Sequence, residues 1–142
     1  MKKLLLASLT MMMLLTGCNS KATTATTTVP AETKEVSLEI IVNDEVNGEE
    51  LFNDTITVEG NIESLYDFLK EVDELKLEFG EGSYGTYIDG MMGLKQDFNK
   101  GPWWLYSSEN NETCQAEGMC PAVKDLKIKD GDKFVFSYTD QF

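Results

Sequence analysis

The chain has 142 residues and a net charge of −13, with twelve lysines but no arginine and no histidine. Its length bounds it to one domain, and so acidic a chain, lacking a bidentate arginine clamp for phosphate, is set against nucleic acid and anionic membrane surfaces as partners. The absence of histidine removes the usual acid/base near neutral pH and the commonest metal ligand, so neither an enzyme nor a metal centre is expected.

Met1-Lys2-Lys3 is a basic start, Leu4 to Leu15 is an apolar run too short to stay in a bilayer as a spanning helix, and Leu15-Thr16-Gly17-Cys18 follows at once. This is the form of a secretion signal over residues 1–17. Its ending resembles the lipobox of bacterial lipoproteins, which implies that Cys18 becomes the first mature residue and carries a diacylglycerol anchor at the extracellular face of the cell membrane. An ordinary secreted protein with a stray cysteine is the alternative. Loss of the leader takes Lys2 and Lys3 with it and leaves −15. Residues 18–35, rich in Thr and Ala with no apolar periodicity, read as a tether with a mean reach of roughly 20–25 Å.

The domain is expected over residues 36–142. Val36, Leu38, Ile40 and Val42 alternate with Ser37, Glu39, Ile41 and Asn43, the period of a strand with one buried face. A turn rich in Asn, Asp and Gly follows, then a second strand with Ile56 and Val58 on one face. The period changes to helical at Leu65, Phe68, Leu69 and Val72, which predicts a helix from about Ile62 to Leu75 with Asn61 as its N-cap. A short strand at Leu77 to Phe79, an extended run Tyr84 to Ile88, a turn Gly90-Met91-Met92-Gly93 and a further strand near Pro102 to Ser107 come next. Ser108 to Cys120 reads as a polar loop. Asp130-Gly131-Asp132 is a turn signal, with nothing nearby to complete an oxygen cage for calcium, and Lys133 to Tyr138 closes the domain as a strand with Phe134, Phe136 and Tyr138 on one face. A hairpin, one helix crossing the sheet, then more strands is the order of a β-grasp. The expected fold class is therefore α+β, a β-grasp-like mixed sheet with one packed helix.

With Cys18 assigned to the lipid, Cys114 and Cys120 remain. In an exported chain that pair reads as a disulfide in preference to a metal or catalytic role, because two thiols without histidine offer too few ligands. The stretch Tyr84 to Tyr106 gathers both tryptophans, three of five tyrosines and the adjacent Met91 and Met92, the composition of either an apolar binding surface or a small core. Trp103 and Trp104 are adjacent on a predicted strand, so their side chains face opposite sides and only one enters the core.

The segments SLYDFLKE (Ser64 to Glu71), YGTYIDGM (Tyr84 to Met91), WWLYSSENN (Trp103 to Asn111) and LKIKDGDKFVFSYT (Leu126 to Thr139), in that order, resemble the domain of many Gram-positive surface lipoproteins that is similar to the C-terminal β-domain of transcobalamin and intrinsic factor. The resemblance implies a β-grasp that covers one face of cobalamin, with Tyr87, Gly90, Met91, Trp103, Trp104 and Tyr106 as ligand-binding residues. No intrinsic cofactor is expected, and cobalamin or a related corrinoid is the expected small-molecule ligand. The sequence departs from the family in having Leu126 where a tyrosine is usual, and in lacking a counterpart of the helical domain that completes the site in the vertebrate carriers. The alternative function is a protein-interaction module docking onto another cell-envelope protein.

Overall fold

The structure, a computed structural model, describes residues 33–142. The expected signal peptide, Cys18 and all but the last residues of the expected tether lie outside the described residues. Chain order is β1 (Lys34–Asp44), β2 (Glu49–Gly60), α1 (Leu65–Leu69), β3 (Glu78–Gly82), β4 (Gly85–Met91), β5 (Leu94–Lys95), β6 (Trp103–Ser107), α2 (Glu112–Glu117) and β7 (Lys133–Thr139), with a 3-10 turn at Asp73–Leu75. The folded unit starts two residues before Val36, because Lys34 and Glu35 already pair with Gly60 and Glu59.

β1 and β2 form the expected antiparallel hairpin, whose turn is closed by the Asp44 carboxylate accepting from the Asn47 backbone and side-chain amides. β7 lies parallel to β1, with Ile40 beside Phe134 and Val42 beside Phe136. Parallel neighbours require a crossover, and residues 61–132 supply it. β6 pairs antiparallel with β7, giving the order β2-β1-β7-β6. This is the α+β, β-grasp-like mixed sheet with one packed helix. A second, three-stranded sheet, β3-β4-β5, is built within the crossover.

The period-two residues do what their spacing requires. Val36, Leu38, Ile40 and Val42 are all buried, as are Phe134 and Phe136 from the neighbouring strand. Leu65, Phe68 and Leu69 of α1 cover that face, joined by Ile88 and Met91 from β4. Each fully buried side chain of this size contributes roughly 1.5–3 kcal/mol by leaving water.

The helix differs from its expected bounds. It starts after Ser64, not after Asn61, because Ser64 and Asp67 form a capping box: the Ser64 hydroxyl accepts from the Asp67 backbone N–H while the Asp67 carboxylate accepts from the Ser64 N–H. It ends after Leu69: the Lys70 amide still reaches Tyr66 O, but the Glu71 and Val72 amides reach back only three residues, and the 3-10 turn stops at Lys76 in the left-handed region (φ 47°). The heptad spacing still places Val72 and Leu75 in the core.

Burial alone would raise the Asp67 pKa, but hydrogen bonds from the Ser64 hydroxyl and from the Ser64 and Glu63 amides, with help from Lys70, hold it below the ordinary 3.8. A carboxylate depressed in this way contributes stability that is present above its unfolded pKa and lost as pH falls through the folded value. Ser64→Ala is therefore expected to cost about 1 kcal/mol in urea unfolding at neutral pH. The gap between wild type and Asp67→Asn should narrow as the pH is lowered below 4; a gap unchanged at pH 3 would remove this account of the cap.

The run expected to be a loop, Ser108 to Cys120, contains a second helix, α2, so that reading is corrected. Asn111 caps it by accepting from Thr113 and Cys114 N–H, and Gly118 closes it at φ 73°. The Asn111 amide nitrogen also donates to the Lys127 carbonyl at 2.9 Å and to Asp132 Oδ2 at 2.7 Å, locking α2 to the turn before β7. Cys114 and Cys120 are joined in a disulfide that closes the far side of this short helix. From there the chain runs as a strap between α1 and β4: Leu65 N–H donates to Leu126 O, Tyr66 N–H to Val123 O, and Val123 N–H to Thr86 O.

Candidate functional site

The parity of β6 sends its two tryptophans to opposite faces of the sheet. Trp104 goes inward. Its indole N–H donates to the Leu94 carbonyl at 2.9 Å, its backbone N–H donates to Gln96 Oε1 at 3.1 Å, and its ring sits 5.0 Å from that of Tyr138. Tyr106, two residues on, keeps the same side and donates its hydroxyl to the Pro121 carbonyl at 2.6 Å. Burial, with a smaller contribution from the Asp125 carboxylate, pushes its phenol well above the ordinary range, so it stays a neutral donor to the strap. Met91 is fully buried and Gly90 is buried opposite Glu78. Four of the six candidate ligand residues, Gly90, Met91, Trp104 and Tyr106, thus have packing or strap contacts in this fold.

Tyr87 and Trp103 remain at the surface, and the structure links them through a residue that sequence reasoning passed over. Tyr87 lies flat on β3: a Cβ added to Gly80, its cross-strand partner, would stand 2.3 Å from the Tyr87 ring. Its ring meets that of Phe98 at 5.4 Å. Phe98, 66% exposed, is followed in space by Trp103, whose indole N–H donates to the Phe98 carbonyl at 3.3 Å. Trp103 packs on Gly101, where a Cβ would come within 2.6 Å of the indole, and meets Phe142 at 4.5 Å. The result is an aromatic ridge of two tilted ring pairs, Tyr87 with Phe98 and Trp103 with Phe142, joined through the Trp103 indole N–H on the Phe98 carbonyl. Phe142 is 90% exposed, and Tyr84 stands nearly free in the β3–β4 turn.

The loop that carries Phe98 is fastened from within. The Asp97 carboxylate accepts from Asn99 and Lys100 N–H, Gly101 N–H donates to Asp97 O at 2.7 Å, and Asp97 N–H donates to Pro102 O at 3.1 Å. Such an Asx-type turn holds an apolar side chain out in solvent without help from the core. The signal for it was present as Asp97-Phe98-Asn99, a lone aromatic inside a polar turn. A side chain held in this way loses little further freedom when it binds, which is the condition for an efficient contact.

Charges around the ridge are mostly negative. Lys95 bridges Glu78 at 3.0 Å and Asp89 at 3.1 Å. Tyr138 donates its hydroxyl to Lys95 O, and burial first, then Asp44 and Asp97, raise its pKa. Among the described residues no group of three or more Cys, Asp or Glu side chains is placed to hold a metal ion. A cleft of about 410 Å³ does open elsewhere, beside α2, where Ile62 and Ile128 are mixed with charged side chains of both signs such as Lys34, Glu63 and Lys127, and no aromatic side chain lines it.

Gly80→Ala is the expected way to disturb the ridge from beneath: the added methyl displaces the Tyr87 ring, and with it the Tyr87–Phe98 contact. The ring signals of Tyr87 and Phe98 should shift together in NMR spectra, and shifts confined to β3 would show that the two rings are independent.

No family model and no curated protein matches the sequence. Solved structures do. A proposed metal binding protein from Ruminococcus gnavus ATCC 29149 superposes with a TM-score of 0.53 at 17% identity, over 77% of this chain and 99% of that one. Haptocorrin in complex with Cbi superposes with a TM-score of 0.54 at 16% identity, over 77% of this chain and 26% of that one. The likeness is one of fold. This chain spans about a quarter of haptocorrin, so it shares the architecture of one part of that protein.

Proposed function

We propose that this chain is a binding domain for a planar, amphipathic small molecule, with a corrinoid as the leading candidate, seated against Tyr87, Phe98 and Trp103. The observation that carries the reading is the exposed aromatic ridge on a pre-fastened loop. Flat rings give a flat ligand a large contact area at little conformational cost, and aromatic residues concentrate binding energy where they are held rigid. The haptocorrin complex supports the ligand class, since a chain of this fold is found there in a structure containing Cbi. Trp104, Tyr106, Met91 and Gly90 serve beneath the ridge as its support. The chain is read as a binder and not a catalyst, since its sequence has neither histidine nor arginine to serve as a base or an anion clamp.

Lipid attachment at Cys18, at the outer face of the cell membrane, belongs to the same proposal. The geometry suits it: Trp103 pairs with Thr139, one residue beyond the level of Asp44, whereas the chain enters β1 at Lys34. At about 3.3 Å per residue that separates the ridge from the chain entry by roughly 30–35 Å, so a tethered domain carries its ridge away from the anchor. Labelling with palmitate should be lost in Cys18→Ala; retained label would remove the anchor from the account.

Titration of the tryptophan fluorescence with cobalamin, haem and related planar compounds tests the ligand reading. Saturable quenching is expected with at least one of them, and only inner-filter attenuation with all of them contradicts it. The exposure of Phe98, Phe142 and Tyr84 also favours a second reading, docking onto another envelope protein through the same face. Pull-down from membranes separates the two: a partner captured by wild type and lost with Trp103→Ala supports docking, and no partner, or one indifferent to the substitution, discards it.

A further inference from the structure

Resting on the reading of the ridge as a ligand platform, we infer that it selects planar molecules whose rim is uncharged or cationic and discriminates against those whose rim carries carboxylate or sulfonate groups. Two independent features give the same sign. The π-faces of Tyr87, Phe98 and Trp103 carry negative quadrupole charge, which attracts cations and repels anions. The side chains at the edges of the ridge add to it. Asp97 precedes Phe98, Asp89 stands two residues from Tyr87 on the same side of β4, Glu78 is next to it through Lys95, and Asp140 follows Thr139, the cross-strand partner of Trp103.

Against these four carboxylates stand two lysines. Lys95 is already shared by Glu78 and Asp89, which leaves Lys100 as the cation of the Phe98 loop. An anionic rim group therefore finds no arginine fork and no histidine, in a chain whose overall charge is −13. Residues this close lie within a Debye length of about 8–10 Å of a molecule on the ridge, so salt does not erase their field at moderate ionic strength. The effect is one of selection; the aromatic contact supplies the affinity. It also predicts faster association for cationic rings, since a field of one sign steers the encounter.

Calorimetric titration of the whole chain with two matched pairs tests this: a corrin bearing amide side chains against the same corrin bearing carboxylates, and an N-methylpyridyl porphyrin against a sulfonatophenyl porphyrin. The amide corrin and the cationic porphyrin are each expected to bind about tenfold or more tightly than their partners at low salt, with the gap shrinking at high salt. Glu78→Gln combined with Asp140→Asn should narrow it further, and Trp103→Ala should weaken the preferred member at least about tenfold and bring it level with its partner. An anionic member that binds as well as its partner, or a preference that survives Trp103→Ala, overturns the inference, the latter because bulk charge and not the ridge would then be responsible. Failure of all four compounds to bind overturns the platform reading itself. Binding of the porphyrin pair in the expected order with neither corrin bound overturns only the corrinoid assignment and upholds the charge rule.

Discussion

Trp104→Ala is expected to destabilise the domain by about 3–5 kcal/mol, read as a shift in the urea midpoint with little change in slope. The side chain is 5% exposed, so its removal leaves a large cavity between β6 and the β4–β5 hairpin. It also removes the indole donor from the half-buried Leu94 carbonyl, which adds the loss of a hydrogen bond. A single domain of this size has roughly 5–15 kcal/mol in total, so the variant loses a large share of its stability. Trp104→Phe should recover part of the packing and none of the hydrogen bond, and so fall between the two. A loss below about 1 kcal/mol for Trp104→Ala would show that the ring is not part of the core.

Trp103→Ala should give the opposite phenotype. Its ring lies on Gly101 and beside Phe142, outside the main core, so the expected stability loss is only about 1 kcal/mol. Ligand affinity should fall at least about tenfold, the magnitude of a well-packed aromatic contact at the centre of an interface. Phe98→Ala should do the same, with still less effect on folding, since Phe98 is two-thirds exposed. Equal affinity in wild type and both variants would move the binding site off the ridge. The contrast between neighbours is the informative part: one residue apart in sequence, one tryptophan holds the fold and the other presents a surface.

The parts of the fold that were legible share a physical reason. In β1 and β7, alternation is the direct record of one buried face, and Leu38, Ile40, Phe134 and Phe136 lie where that period puts them. The β-grasp order followed from the change of period at Leu65. α2 was not legible by periodicity, because a helix of six residues buries only Cys114; its record is the cap pair Asn111 and Gly118. The start of α1 was misplaced at Asn61 because both Asn61 and Ser64 are good caps, and only Ser64 has Asp67 three residues on. The three-stranded sheet was hidden because β3 is rich in glycine, and its pairing is decided by Tyr87 covering Gly80.

The site was legible in part. Strand parity showed that the tryptophans must separate, but which one enters the core depends on Leu94 and Gln96 arriving from another strand to meet the Trp104 N–H groups. Phe98 escaped notice because its exposure is set by local hydrogen bonds of Asp97, which carry no periodicity. Met91 was expected in the turn Gly90-Met91-Met92-Gly93. It is instead the last residue of β4, and the turn that follows is made by Met92 and Gly93, both at positive φ, which leaves Met91 pointing into the core.

The central claim is that a planar ligand rests on the Tyr87–Phe98–Trp103 ridge while the support beneath stays fixed. The chain has two tryptophans and so gives two indole N–H signals in a proton–nitrogen correlation spectrum. On titration with an amide-bearing corrin, the Trp103 signal should move progressively to saturation while the Trp104 signal, held by the Leu94 carbonyl, keeps its position. Movement of Trp104 with Trp103 stationary, or no movement of either at ligand concentrations that saturate any calorimetric binding, would contradict it.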